Sequence, residues 1–233
     1  MAQPDSGTSR NWWDLVPPVL CPAPLTDPTV QADPEALIGA RVILGSPVAG
    51  TWLYDQRAVT KIHERDGQTL IGVLSEVDWY RQLRDPTYLA VPASVPIERV
   101  FVELPEDPGP GAAPAQPDQS DMLPGGRSVS MVSHPSIPPV RWPRRSDRER
   151  FITGARCRLV LRDGVLDGFR VAGEPRRATS DVLNLSGGLE DLNTPPIVAT
   201  APVLRESDWY AWSDTGVHPA RRFNVQTQLI YLE

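Results

Sequence analysis

Lysine, cysteine and histidine are all scarce in this chain, and each shortage narrows what it can do. Lys61 stands alone beside 22 arginines, a bias that reflects GC-rich coding more than chemistry. Cys21 and Cys157 are the only cysteines, too few for the disulfide framework of a small secreted domain. Cys157 falls inside an apolar strand pattern, which predicts a buried and unreactive thiol. None of the three histidines, His63, His134 and His218, is spaced with another as a metal pair. No Cys-x-x-Cys, His-Glu-x-x-His, Gly-x-Ser-x-Gly, phosphate-loop or dinucleotide fingerprint occurs, so no metal and no cofactor is expected. Long apolar runs are absent, and residues 1–10 lack the apolar stretch of a signal peptide. The expectation is a soluble, cytoplasmic protein with no membrane partner.

Clustered positive charge is also missing from the packed parts. The net charge is −6, and five acids face one arginine before Leu37. The rest of the chain is close to balance. Neither half therefore reads as a nucleic-acid binder, whose affinity rests on grouped cations.

Proline, by contrast, is abundant: of 26 residues, seven lie ahead of Glu35 and ten fall between Pro105 and Pro143. The apolar stretches between them repeat one another. Residues 73–80 read Val-Leu-Ser-Glu-Val-Asp-Trp-Tyr, and 203–210 read Val-Leu-Arg-Glu-Ser-Asp-Trp-Tyr. Gly39-Ala40-Arg41-Val42 precedes the first and Gly154-Ala155-Arg156-Cys157 the second. Glu103 and Glu233 each follow their Asp by 25 residues. Three matches in the same order point to an internal duplication. The resulting plan is a Pro-rich lead (1–36), a first β repeat (37–104), a linker first Pro/Gly-rich and then Arg-rich (105–150), and a second β repeat (151–233). Unequal spacing places an insertion at 174–196 in the second repeat.

Each repeat reads as short strands. In the first these are 41–44, 52–62, 70–80 and 98–104, with a hairpin turn at Arg65-Asp66-Gly67. Residues 81–96 carry three prolines and are expected to be loop, with at most a short helical turn. In the second they are 157–161, 165–172, 197–210 and 224–232, with a turn at Arg162-Asp163-Gly164. The Trp12-Trp13 pair is expected to pack on one repeat, since rings of that size seldom stay in water. The fold class is thus mainly β: two related small SH3-like units, packed together because cores this small gain from shared burial. In size and strand order each unit is similar to Tudor and KOW modules, a likeness of shape that carries no function.

Three constellations are candidates for function. Glu76 and Asp78, and likewise Glu206 and Asp208, sit two apart; on a strand each pair would share one face and suit a metal or paired-acid hydrolysis. The alternative is a strand end where solvated acids flank a core tryptophan. Trp52, Tyr54, Trp79, Tyr80, Trp209, Tyr210 and Trp212 form a second set, able to line a cleft for a cationic or proline-containing peptide or to fill the core. Arg141, Arg144, Arg145, Arg148 and Arg150 make the one basic patch, suited to nucleic acid or an acidic partner or to neutralising the linker's own acids. The leading expectation is a non-enzymatic binding or scaffold protein that recognises a protein or peptide through the aromatic surfaces. A metal-dependent hydrolase and a nucleic-acid binder are the alternatives.

Overall fold

The computed structural model describes residues 12–46, 51–106, 138, 140–141, 143–145, 152–177, 199–219 and 221–233. Its chain is mainly β, with two curled antiparallel sheets and few helices. It divides into a contiguous unit, Pro18–Trp142, and a split unit, Met1–Pro17 with Pro143–Glu233.

The contiguous unit opens with β1 (Val19–Pro24), inside the stretch expected to be an irregular lead. Its prolines lack the N–H a central strand needs, and β1 lies at the sheet edge. One side pairs with β7 (Val100–Glu106), and the other has a single bridge from Leu20 to Arg141. A one-turn helix, α1 (Pro28–Gln31), is capped by Asp27. There follow β2 (Arg41–Ser46), β3 (Thr51–Ala58), β4 (His63–Arg65) and β5 (Gln68–Ser75). Asp66 (φ 53°) and Gly67 (φ 74°) both take the left-handed conformation between β4 and β5, as a two-residue hairpin loop of the I′ kind demands.

The strand expected over 70–80 stops at Ser75. Ser75 adopts an extended conformation, and its Oγ accepts from the Asp78 N–H at 3.2 Å. This cap starts α2 (Glu76–Arg84), so the chain leaves the sheet where a strand was expected to continue. The residues expected to be loop supply the end of α2 and then β6 (Ala93–Pro96), which pairs with β5. A 3-10 turn, Ile97–Arg99, leads into β7. The sheet runs β1-β7-β2-β3-β5-β4, with β6 also on β5. Leu25, Leu37, Val42, Ile71, Val73, Val100 and Val102 fill its core, each side chain contributing about 1.5–3 kcal/mol of burial. Phe101, on the other face of β7, is buried as well, edge-on to Trp52 at 5.5 Å.

The split unit follows the same order. Its strands are β8 (Arg144–Arg145), β9 (Arg156–Leu161), β10 (Gly164–Val171), β11 (Thr200–Arg205), β12 (Phe223–Gln226) and β13 (Ile230–Leu232). The strand expected over 197–210 likewise ends early, at Arg205, and α3 (Glu206–Thr215) follows. Gly216, left-handed at φ 69°, closes α3 by donating to the Trp212 carbonyl. A 3-10 turn, Thr227–Leu229, again precedes the last strand. The sheet runs β12-β11-β10-β9-β13-β8. Its core gathers Leu159, Phe169, Val171, Val203, Val225, Leu229 and Ile230 around a buried Cys157, with Trp12 and Trp13 packed against it. The expected insertion lies largely outside the described residues. Among the described residues no helix is long and apolar enough to cross a membrane.

Candidate functional site

Because Glu76 and Asp78 open a helix, they do not share a face. Two residues of helix turn about 200°, whereas two residues of strand restore the original side. Glu76 points inward and is fully buried. Its Oε1 lies 2.9 Å from the Arg57 Nε and 3.6 Å from the Arg41 Nε. Arg57 donates from Nη1 to the Gly39 carbonyl at 2.9 Å and from Nη2 to the Tyr80 hydroxyl at 3.3 Å. Asp78 turns the other way. Its two oxygens accept from the Ser75 hydroxyl and the Tyr88 hydroxyl, each at 2.7 Å.

The split unit builds the same cluster with more charge. Glu206, 1% exposed, has its Oε1 3.1 Å from the Arg156 Nε and 3.9 Å from the Arg170 Nε. Arg170 donates to the Gly154 carbonyl at 2.9 Å and to the Tyr210 hydroxyl at 2.7 Å. Glu233 joins from β13, its Oε1 3.1 Å from the Arg158 Nε. Asp208 occupies the first turn of α3, half-buried. Taking these charges out of water is costly, and each ion pair offsets that cost only while both members are present. Of the side chains proposed for acid–base or metal chemistry, Glu76 and Glu206 are thus held by the sheets' own arginines, and Asp78 by two hydroxyls. Among the described residues no group of three or more His, Cys, Asp or Glu side chains is arranged to hold a metal ion.

The aromatics divide by role. Trp79 covers Gly39 and Trp209 covers Gly154; a Cβ on either glycine would stand 3.5 Å and 3.0 Å from the ring. Both glycines have positive φ, at 86° and 91°, so a side chain there would be strained as well. Tyr80 and Tyr210 hold Arg57 and Arg170. Tyr54 lies under the Arg141 guanidinium at 3.9 Å. Trp52 is half-buried against Phe101 and Gly45. Trp212 stands edge-on to Trp209 at 5.3 Å and stacks with His218 at 4.3 Å.

The basic patch is divided between the two units. Arg141 faces Glu103 in the contiguous unit, Nε to Oε1 3.6 Å. Arg145 serves the split unit, donating from Nη2 to the Tyr231 hydroxyl at 2.9 Å and to the Trp13 carbonyl at 3.0 Å. Arg144 is exposed on β8, and Arg148 and Arg150 lie outside the described residues. Sequence reasoning missed Arg41, Arg57, Arg156, Arg158 and Arg170, because arginine reads as surface charge. For four of them the signal was the recurrence of Arg with Glu at matching places, Arg41 and Arg57 with Glu76, Arg156 and Arg170 with Glu206; Arg158 had none.

Burial sets the chemistry of the thiols. It pushes the Cys157 thiol far above its ordinary value, reinforced by the negative charges of Glu233 and Glu206. Cys21 is raised too, by burial first and then by its hydrogen bond with Glu106. Neither favours a thiolate nucleophile. No family model matches the chain, and no curated protein or solved structure matches it either.

Proposed function

We propose that the chain is a non-enzymatic binding or scaffold protein, built from two SH3-like units related by internal duplication, that recognises a protein or peptide partner. The observation that carries this reading is the inward turn of Glu76 and Glu206, the first residue of the Glu-x-Asp-Trp-Tyr stretch in each unit. A catalytic acid is normally needed once and must reach substrate, whereas Glu76 and Glu206 are each sealed beneath a helix against arginines. The matching order of strands, helix and 3-10 turn supports the duplication.

From the last turn of α2 onward the contiguous unit exposes large apolar side chains among its polar ones. Leu83, Leu89 and Val91 are 61%, 81% and 88% exposed. Grouped exposed apolar side chains are the usual mark of an interaction surface. Trp52 and Trp212 are half-exposed and rest on aromatic neighbours rather than on an arginine, and they extend the recognition surface of each unit. Immobilised wild type, Leu89→Asp/Val91→Asp and Trp52→Ala/Trp212→Ala chains, each checked for fold by circular dichroism, test the reading. Partners specific to wild type should be lost from at least one variant. An identical set of bound proteins on all three would sink the proposal.

A further inference from the structure

In the split unit, six arginines are described apart from those of β8, Arg205 at the end of β11, and the loop arginines Arg162 and Arg221. Three of them, Arg156, Arg158 and Arg170, are buried and face carboxylates. The other three, Arg176, Arg177 and Arg222, line a cavity of about 330 Å³ on the sheet. Among the described residues none of these three stands within an ion-pair distance of a carboxylate, the set of pairs there being accounted for by other arginines. The cavity is anchored rather than incidental. Arg176 exchanges both main-chain hydrogen bonds with Thr200 of β11, at 2.7 and 2.9 Å. Arg222 contacts the His218 ring, which is itself stacked on Trp212. Gly173 keeps the floor open, since a Cβ there would come within 3.2 Å of the Pro202 ring. Thr200 and Asn224 add neutral polar groups, and Glu174 is the one acid on the lining.

We infer that this cavity is a binding site for a phosphate monoester. The lining residues include three arginines and one glutamate, a net of two positive charges, matching the charge of about −1.5 to −2 on such an ester near pH 7. Guanidinium forks suit the several oxygens of a phosphate better than the two of a carboxylate, and arginine is favoured wherever planar, bidentate recognition is needed. The volume exceeds what a bare phosphate fills and falls within the range of small-ligand sites, so an organic body accompanies the phosphate. The site goes beyond the partner-binding reading above and does not depend on it. The phosphate could belong to a small metabolite or to a phosphorylated side chain, and the test separates them.

The experiment is calorimetric titration of the full chain at low salt with glycerol 3-phosphate, with a short phosphoserine peptide, and with its unphosphorylated form. At least one phosphorylated probe should bind saturably at one site per chain, while the unphosphorylated peptide does not. Response to the ester alone identifies a metabolite site, and response to the peptide alone a modified protein. Arg222→Ala and Arg177→Ala should each weaken binding about tenfold or more, and Glu174→Gln should tighten it several-fold. Protection of Arg222 from phenylglyoxal by the bound probe gives a readout on the unaltered chain. Absence of saturable binding by either phosphorylated probe would overturn the inference. So would affinity unchanged in both arginine variants.

Discussion

The first turn of α3 lacks what the first turn of α2 has. Ser75 and Arg205 hold the same place before their helices, with nearly the same backbone, φ −62° and ψ 150° against φ −61° and ψ 147°. Ser75 satisfies the Asp78 N–H, whereas Arg205 makes no side-chain cap. Arg205→Ser should therefore place a hydroxyl where the Asp208 N–H can donate to it. A serine cap is worth about 0.5–2 kcal/mol over alanine. Removing a cation from the positive end of the helix dipole adds about 0.3–1 kcal/mol at the surface. Arg205→Ala separates the two contributions, since it removes the charge without supplying an acceptor. Arg205→Ser should exceed Arg205→Ala by about 1 kcal/mol, a rise of roughly 2–4 °C for a chain of this size unfolding as one. Urea denaturation followed by tryptophan fluorescence is suitable, because Trp209 and Trp212 lie on α3 itself. Ser75→Ala should lose a similar amount from the other unit. Equal stability of the serine and alanine variants would refute the argument, showing that the matching backbone does not bring the hydroxyl to the N–H.

Glu206→Gln keeps the shape but removes the carboxylate that faces Arg156 and Arg170, leaving Arg156 with Glu233 at 3.9 Å; breaking a buried pair in this way costs about 3–5 kcal/mol. The denaturation midpoint should fall accordingly, and a loss below about 1 kcal/mol would show the cluster to be solvated. Titration of the native chain at pH 8 with an aromatic disulfide reagent should reach Cys21 before Cys157, because only Cys157 is completely buried and strongly raised. Cys157 should react once denaturant is added, and equal native rates would contradict its placement.

Local chemistry was legible where it is decided locally. Asp66-Gly67 announces its turn, and the tryptophan pair at 12–13 announces a need for burial. The change from strand to helix at Glu76 was harder. Glu-Val-Asp-Trp-Tyr mixes β-branched and aromatic residues that suit a strand, and the cue against it was Ser75 followed three residues later by Asp78. Arg205 withholds that cue from the second copy. β1 was hidden by its prolines, which an edge strand tolerates. The buried arginines were hidden by their charge, since only tertiary packing reveals which cations are enclosed. One exchange illustrates this: Arg158 stands at the place in β9 that Ile43 takes in β2, and Glu103 instead meets Arg141 from the far side of β1.

The split unit is interrupted in sequence by the whole of the other. Its early residues are nevertheless joined to its late ones, for Arg145 donates to the Trp13 carbonyl and Tyr231 donates to the Leu15 carbonyl. The contiguous unit is thus an insert whose host resumes beside the point where it broke off. During synthesis the insert has all its strands once position 142 is made. Trp12 and Trp13, made first, must wait for β13, on the order of 10–40 s later at ordinary rates of translation. Through that interval the nascent chain carries two large apolar rings whose own core does not yet exist.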